Sequence, residues 1–283
     1  MVKFKKILQD RLKDKLNEKE LQLLPTGFQQ LGDKAILTLK PELLKYKEEI
    51  SREILNIFSN IKGVYLKKGG ITGEYRTPQV EFVIGENKPE IIHKEHGISY
   101  KLDITKIMFA KGNINERLRI SKLVRPNEII FDLFAGIGYF CLLIGHNVKP
   151  KKIYAFELNP VAYHYLIENI TINQINKERE IIVPILGDSK IEALKISERA
   201  DRVIMGILPA PREHIDTVFK IIREKATIHY EGIIKESESA DSLLQDFERV
   251  NRLYNRNIEL LKTNFVKSYG PKLYHVTLDI LIS

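Results

Sequence analysis

The sequence predicts an α/β fold: a mostly parallel sheet that ends in an antiparallel hairpin, preceded by a smaller α+β domain. Three observations carry this. From about residue 97 onward, short apolar runs alternate with helical patterns, as a parallel sheet with crossover helices requires. The run IIFDLFAGIGYF (129–140) joins an apolar strand to a helix through Gly136 and Gly138. The chain then closes on two strand-like segments, IELLKTNFV and KLYHVTLDILI, joined through Lys267-Ser268-Tyr269-Gly270-Pro271.

Residues 3–23 set Phe4, Leu8, Leu12, Leu16 and Leu21 at helical spacing among charges, which reads as one or two surface helices. Pro25-Thr26-Gly27 breaks them, and AILTL (35–39) is a strand ending before Pro41. Residues 43–58 return to a helical stripe of Tyr46, Ile50, Ile54 and Ile57. VYLKK, the Gly69-Gly70 pair and GEYRTPQVEFVIG then give short strands and turns. This first segment carries no nucleotide fingerprint. A domain boundary placed where regular alternation begins gives domains 1–96 and 97–283. Across it, alternation in ISYKLDI predicts a strand, and Lys111-Gly112-Asn113 turns into a helix carrying Glu116, Arg117 and Arg119. On charge pattern alone that helix is capped and solvent-facing, with local ion pairs.

In the second domain the first strand ends at Asp132, and Gly136 and Gly138 let the backbone approach a ligand closely. The G-x-G-x-x-G fingerprint is incomplete, because position 141 is Cys. The second strand, KIYAFE, ends in Glu157, 21 positions beyond Gly136, where an acid can accept both hydroxyls of a ribose. A helix follows over 160–173, with Ala162, Tyr165, Leu166 and Ile170 inward. The third strand, IIVPIL, runs into Gly187-Asp188. DRVIMGIL (201–208) is the fourth strand, ATIHYE (226–231) the fifth, and 238–256 a charged helix. Three carboxylates at successive strand ends (Asp132, Glu157, Asp188) suit a neutral adenosine joined to a cationic sulfonium better than a pyrophosphate. This pattern resembles the class I S-adenosylmethionine-dependent, Rossmann-like fold, whose terminal antiparallel hairpin it shares.

Composition narrows the field. The chain has 283 residues and a net charge of +8, which permits a polyanionic partner. One cysteine, Cys141, excludes a disulfide framework and is expected to pack inertly. The seven histidines are scattered; His93 and His96 lie three apart without further ligands, so no metal is expected. No apolar run is long enough to span a membrane, and no signal-peptide core opens the chain.

The motifs ITGEYRTP (71–78), KIMFAKGNINERLR (106–119), DLFAGIGYF, ENITIN (168–173), DRVIMG (201–206), IHYE, VKSYGP and YHVTLDI together resemble one family. It contains the tRNA guanine-37 N1-methyltransferases and the tRNA wybutosine-synthesising aminocarboxypropyltransferases. Two departures bear on the branch. The methyltransferases carry Ser-Pro-Arg-Leu where this chain has Ala110-Lys111-Gly112-Asn113, and Asn-Leu-Pro where it has Gly206 before Ile207-Leu208-Pro209. Both changes resemble the aminocarboxypropyl-transferring branch, as does the short sequence ahead of the α+β domain. That resemblance implies S-adenosylmethionine consumed as a co-substrate and transfer of its 3-amino-3-carboxypropyl group to C7 of 4-demethylwyosine at purine 37 of tRNA(Phe). The alternative is methyl transfer to guanine-37 N1 or to the wyosine-type ring carbon. It also implies a cytoplasmic monomer with no membrane partner. Implied cofactor contacts are Met108, Phe109, Asp132, Phe134, Gly136, Gly138, Glu157, Leu158, Asp188, Ser189 and Gly206. Arg76 and Glu116 match residues that act on the guanine, to hold the base and accept a proton. Retention of Glu157, Asp188, the glycine turn, Arg76 and Glu116 weighs against a decayed, merely RNA-binding fold.

Overall fold

The computed structural model describes residues 4–283; Met1-Val2-Lys3 of the charged opening stretch lie outside the described residues. The chain divides into two compact units, Met1–Lys94 with Tyr100–Phe109, and Glu95–Ser99 with Ala110–Ser283. The sequence boundary at 96/97 falls at the tip of a two-stranded ribbon, β5 (Glu90–Glu95) and β6 (Ile98–Asp103), whose tip residues belong to the second unit.

In the first unit the opening stripe forms two helices, α1 (Phe4–Leu12) and α2 (Glu18–Leu23). Asn17 starts α2 with a capping box, accepting from the Glu20 amide at 2.9 Å while Glu20 accepts from the Asn17 amide at 3.0 Å. The sheet runs in the order β1 (Gln29–Leu31), β2 (Lys34–Leu37), β3 (Gly63–Thr72), β4 (Thr77–Gly85). Its parallel step from β2 to β3 needs a crossover, which α3 (Lys47–Ile57) supplies. Leu8, Leu12, Leu37, Ile50, Ile54 and Val64 fill the core between helices and sheet.

The second unit is a seven-stranded sheet. Its strands are β7 (Ile129–Asp132), β8 (Lys152–Glu157), β9 (Ile182–Leu186), β10 (Ala200–Met205), β11 (Ile222–Lys235), β12 (Ile258–Gly270) and β13 (Leu273–Ile282). Their order is β12-β13-β11-β10-β7-β8-β9, parallel from β11 to β9 and antiparallel at β13 and β12. Chain order reverses between β7 and β10, so the crevice at their carboxyl ends is where such a sheet binds ligands. Pro184 is tolerated within β9 because that strand is an edge. The fourth strand stops at Met205, three residues before the sequence expectation, and the fifth is longer than expected because it pairs along β13 up to Lys235↔Leu273. Among the described residues, no helix is long and apolar enough to cross a membrane.

The expectation of a solvent-facing helix after residue 113 is overturned. In α4 (Ile114–Leu123), Glu116 and Arg117 are buried, at 1% and 3% exposure, and Asn113 makes no side-chain cap. The reason lies far along the chain. Arg119 pairs with Glu116 (Nη2–Oε1 2.7 Å) and with Asp279 of β13 (Nη1–Oδ2 2.6 Å). Asp279 accepts from His229 Nδ1 at 2.6 Å, and His229 Nε2 accepts from Arg202, whose guanidinium also pairs with Glu128 at 2.7 Å. His229 is therefore neutral, and burial lowers its pKa. Asn264 of β12 donates to Glu116 Oε2 at 2.5 Å. Side chains from α4, β10, β11, β12 and β13 thus form one closed network.

Arg119 is the hub, neutralising two carboxylates that are almost fully buried. We expect Arg119→Met to destabilise the fold by about 3–5 kcal/mol in denaturant unfolding, the cost of leaving buried charges unpaired. A loss under about 1 kcal/mol, the level of an exposed pair, contradicts the hub role.

Candidate active site

The crevice is built by short connections pinned to neighbouring strands. After β7 the chain turns through Leu133, whose amide donates to Ile204 O at 3.0 Å, and Ala135, whose amide donates to Phe156 O at 2.8 Å. Gly136 and Gly138 adopt φ of +58° and +99°, which other residues rarely reach. A Cβ on Gly136 would lie 2.5 Å from the Tyr139 ring, so the ring lies against the bare backbone there. The helix that follows, α5 (Cys141–Asn147), is buried over most of its length, Cys141 included. Asn169 on α6 (Pro160–Ile172) holds the turn by donating to Ile137 O at 3.1 Å. One turn further along, Asn173 clasps the Ser99 backbone through both amide ends at 2.8 Å. The ENITIN stretch is therefore a brace of the glycine turn.

The three carboxylates stand as the strand ends place them. Glu157 Oε2 accepts from the Gly136 amide at 2.7 Å and Oε1 from the Asn159 amide at 2.8 Å. One hydrogen bond to each oxygen fixes the carboxylate and leaves a lone pair on each for a diol. Burial raises the Glu157 pKa, and these amides offset part of the rise. Asp188 caps the short helix α7 (Ser189–Glu192), accepting from the Lys190 amide at 2.9 Å. Asp132 is fully buried, and neither oxygen has a hydrogen-bond partner among the described residues. Burial pushes its pKa up to about 7, and the charges of Glu157 and Glu231 add to this. The Phe134 and Cys141 amides oppose the rise without aligning as hydrogen bonds. Phe134 packs edge-on to His214, Leu158 is exposed beside Glu157, and Ser189 is buried. Gly206 follows β10, where a Cβ would lie 2.7 Å from the Phe140 ring.

Those residues, with Glu116, all belong to the second unit; Arg76, Met108 and Phe109 belong to the first. Arg76 sits in the β3–β4 turn with φ +53°. Phe109 is buried edge-on against His93 and Tyr100. Sequence reasoning missed Glu231, Lys267, His275 and Thr277. Their signal was present: His229-Glu231 and His275-Thr277-Asp279 put polar residues at period two on strands whose other face is apolar. In the structure this face is buried, so the polar alternation is not the mark of a solvent-facing side.

Residues 91–261 match the TRM5/TYW2 methyltransferase domain and residues 8–88 the TYW2 N-terminal domain. The chain is 38% identical over 255 residues to the tRNA(Phe) (4-demethylwyosine(37)-C(7)) aminocarboxypropyltransferase of Methanocaldococcus jannaschii, covering 89% of this chain and 96% of that protein. It is 35% identical over 262 residues to the tRNA (guanine(37)-N(1))-methyltransferase Trm5b of Pyrococcus abyssi, covering 93% and 76%. The crystal structure of Pyrococcus horikoshii TYW2 in complex with MeSAdo is similar at a TM-score of 0.83 and 31% identity, covering 99% of each chain. With the reversed strand order, the glycine turn and the three strand-end carboxylates, these likenesses place the chain in the TRM5/TYW2 family.

Proposed function

We propose that the chain transfers the 3-amino-3-carboxypropyl group of S-adenosylmethionine to C7 of 4-demethylwyosine at position 37 of tRNA(Phe), as the names of its archaeal relatives describe. The observation that carries this choice over methyl transfer is the match of residues 8–88 to the TYW2 N-terminal domain, joined to likeness along the whole of a TYW2 chain. In the reaction the π electrons at the ring carbon form a bond to the arm's γ-carbon. The γ-carbon–sulfur bond breaks, its pair stays on sulfur, and neutral 5′-methylthioadenosine leaves. The ring carbon then loses its proton to solvent water, and the electron pair of that C–H bond restores the ring's π system. A sulfonium offers three electrophilic carbons, so the protein's task is to decide which one faces the nucleophile.

The residues fit this ligand. Glu157, with a lone pair left on each oxygen, takes the ribose, and Leu158 offers apolar surface for the adenine. Asp132, unpartnered and buried, supplies negative charge toward the cationic part. Glu116 has both oxygens engaged by Arg119 and Asn264, so its role is to hold the wall of the site rather than to take a proton. Asp188, Ser189, Phe134, Met108 and Phe109 as cofactor contacts, and Arg76 as a holder of the base, follow the family resemblance. A tRNA partner suits the net charge of +8, and action as a cytoplasmic monomer completes the proposal.

Three outcomes test this. Glu157→Ala should weaken both S-adenosylmethionine and 5′-methylthioadenosine by about 1.5–3 kcal/mol in calorimetry, because both carry the ribose. Unchanged affinity in a folded variant removes Glu157 from that role. The second outcome is a pH dependence. A carboxyl with a free-state pKa of about 7 must ionise to meet a cation, so binding releases a proton below that pH. Affinity for S-adenosylmethionine should rise between about pH 6 and 8 and then level off, while that for uncharged 5′-methylthioadenosine stays flat. Asp132→Asn should abolish the slope; a slope that persists assigns it elsewhere. The third is the product. Turnover on tRNA bearing 4-demethylwyosine should yield 5′-methylthioadenosine, and Gly206→Asn, forced against Phe140, should slow it by about tenfold to a hundredfold without creating methylation. S-adenosylhomocysteine as the main spent product, with only methyl mass on the tRNA, overturns the reading in favour of a methyltransferase.

A further inference from the structure

The face of the sheet that carries His229 and Asp279 bears two polar clusters of opposite character. One is the closed network around Arg119. The other lies one rung further along β11 and β13, and it is open. Glu231 is 1% exposed, and its Oε1 has no hydrogen-bond partner among the described residues. Its cross-strand neighbour Thr277 is fully buried with an unpartnered hydroxyl. His275, also fully buried, stands 3.1 Å from Glu231 Oε2 without hydrogen-bond alignment. Each such group costs about 1–3 kcal/mol when left unmet, and proteins keep them where a ligand or a function completes the set.

Lys267, opposite His275 on β12, is the cation of this cluster. It is half-buried, and burial lowers its pKa against the attraction of Glu231. Its side chain fills the space above Gly112: a Cβ there would lie 2.6 Å from its Cδ and 2.7 Å from its Nζ. Glycine at 112 therefore admits the lysine, at one of the two positions where this chain departs from the methyltransferase pattern. The neighbouring cation, Arg117, is already committed. It pairs with Glu95 at 2.8 Å, donates to Ala110 O at 2.9 Å and covers the Tyr139 ring at 4.8 Å. Lys267 has no ion pair among the described residues; Glu231 attracts its charge and Arg117 repels it. Glu231 balances the charge of Lys267 without an ion pair, so the ammonium keeps its hydrogen-bond donors available to a second anion. The place is next to the cofactor edge. Tyr139 lies over Gly136, Arg117 lies over Tyr139, and Glu231 is close enough to Asp132 to raise its pKa.

On the aminocarboxypropyl reading above, we propose that Lys267 receives the α-carboxylate of the transferred arm, with Glu231, steadied by His275, holding the ammonium in place. The chemistry explains why such a cation matters here. In methyl transfer the carboxylate stays with the leaving group, whereas here it moves with the reacting carbon. A cation that grips it turns the γ-carbon rather than the methyl toward the acceptor. Lys267 and Glu231 are thus positioning residues for the transfer.

The test compares Lys267→Met with Lys267→Arg by calorimetry against three probes: S-adenosylmethionine, decarboxylated S-adenosylmethionine and 5′-methylthioadenosine. Lys267→Met should lose about tenfold to a hundredfold in affinity for the first, the worth of one charged hydrogen bond, and stay within about twofold for the other two. Lys267→Arg should recover most of the loss. An equal loss on all three probes indicates general damage to the site and overturns the proposal. So does unchanged S-adenosylmethionine binding with weakened tRNA binding, which makes Lys267 a phosphate contact. Because these are binding measurements, they stand apart from the product analysis: a methylated product overturns the assigned reaction, whereas probe-independent binding overturns the assigned cation.

Discussion

A half-buried guanidinium between two buried carboxylates sets much of the second unit's architecture. Glu116 on α4 and Asp279 on the last strand can both be buried only because Arg119 reaches the two of them, since a lone buried charge costs several kcal/mol. Meeting that condition ties α4 to the sheet 160 residues later in the chain and orients His229 between Asp279 and Arg202. The turn at Gly112-Asn113, with the Lys267 side chain against it, leads directly into this helix. Pairing on this scale contributes little net stability relative to an apolar core. Its effect is to select one register for β11, β12 and β13 out of the several that their apolar alternation allows.

The contrast between the closed and open polar clusters is informative about function. Both lie on the same strands, one rung apart, and both are buried. A fold that needed only stability would treat them alike. Instead the Arg119 network satisfies its charges within the chain, while Asp132, Glu231, Thr277 and His275 retain atoms without partners. Those orphans cluster toward the carboxyl ends of β7 and β11, at the strand-order reversal where ligands bind. Local stability is given up where the ligand is to make up the difference.

Much of this was legible in the sequence, for identifiable reasons. The glycine turn and the acids at 132, 157 and 188 could be read because strand, turn and helix follow one another within a few residues, so local periodicity suffices. Helix 160–173 was readable because its inner face, Ala162, Tyr165, Leu166 and Ile170, is apolar at helical spacing, and all four are buried. Helix α4 misled for the opposite reason. Its charges look solvated in isolation, and only Asn264 and Asp279, brought back by the hairpin, turn Glu116 and Arg119 inward. Lys267 stayed hidden because its meaning depends on a glycine 155 residues earlier, a relation that no local pattern carries.

Two glycines then acquire a common meaning. At 112 the missing side chain is replaced by the stem and ammonium of Lys267, and at 206 by the edge of the Phe140 ring. Each exchange swaps a group belonging to the local loop for one arriving from elsewhere in the second unit. The first brings a cation on a flexible stem, able to follow a carboxylate as the reacting carbon moves. The second brings an apolar edge where a hydrogen-bonding side chain would orient a target nitrogen. A cation for the arm and no polar anchor at 206 are the conditions under which carbon–carbon bond formation at the γ-carbon competes with methylation, although the methyl is the less hindered carbon of the sulfonium. The chemistry of the leaving bond is the same in both reactions; the geometry of what surrounds it decides the product.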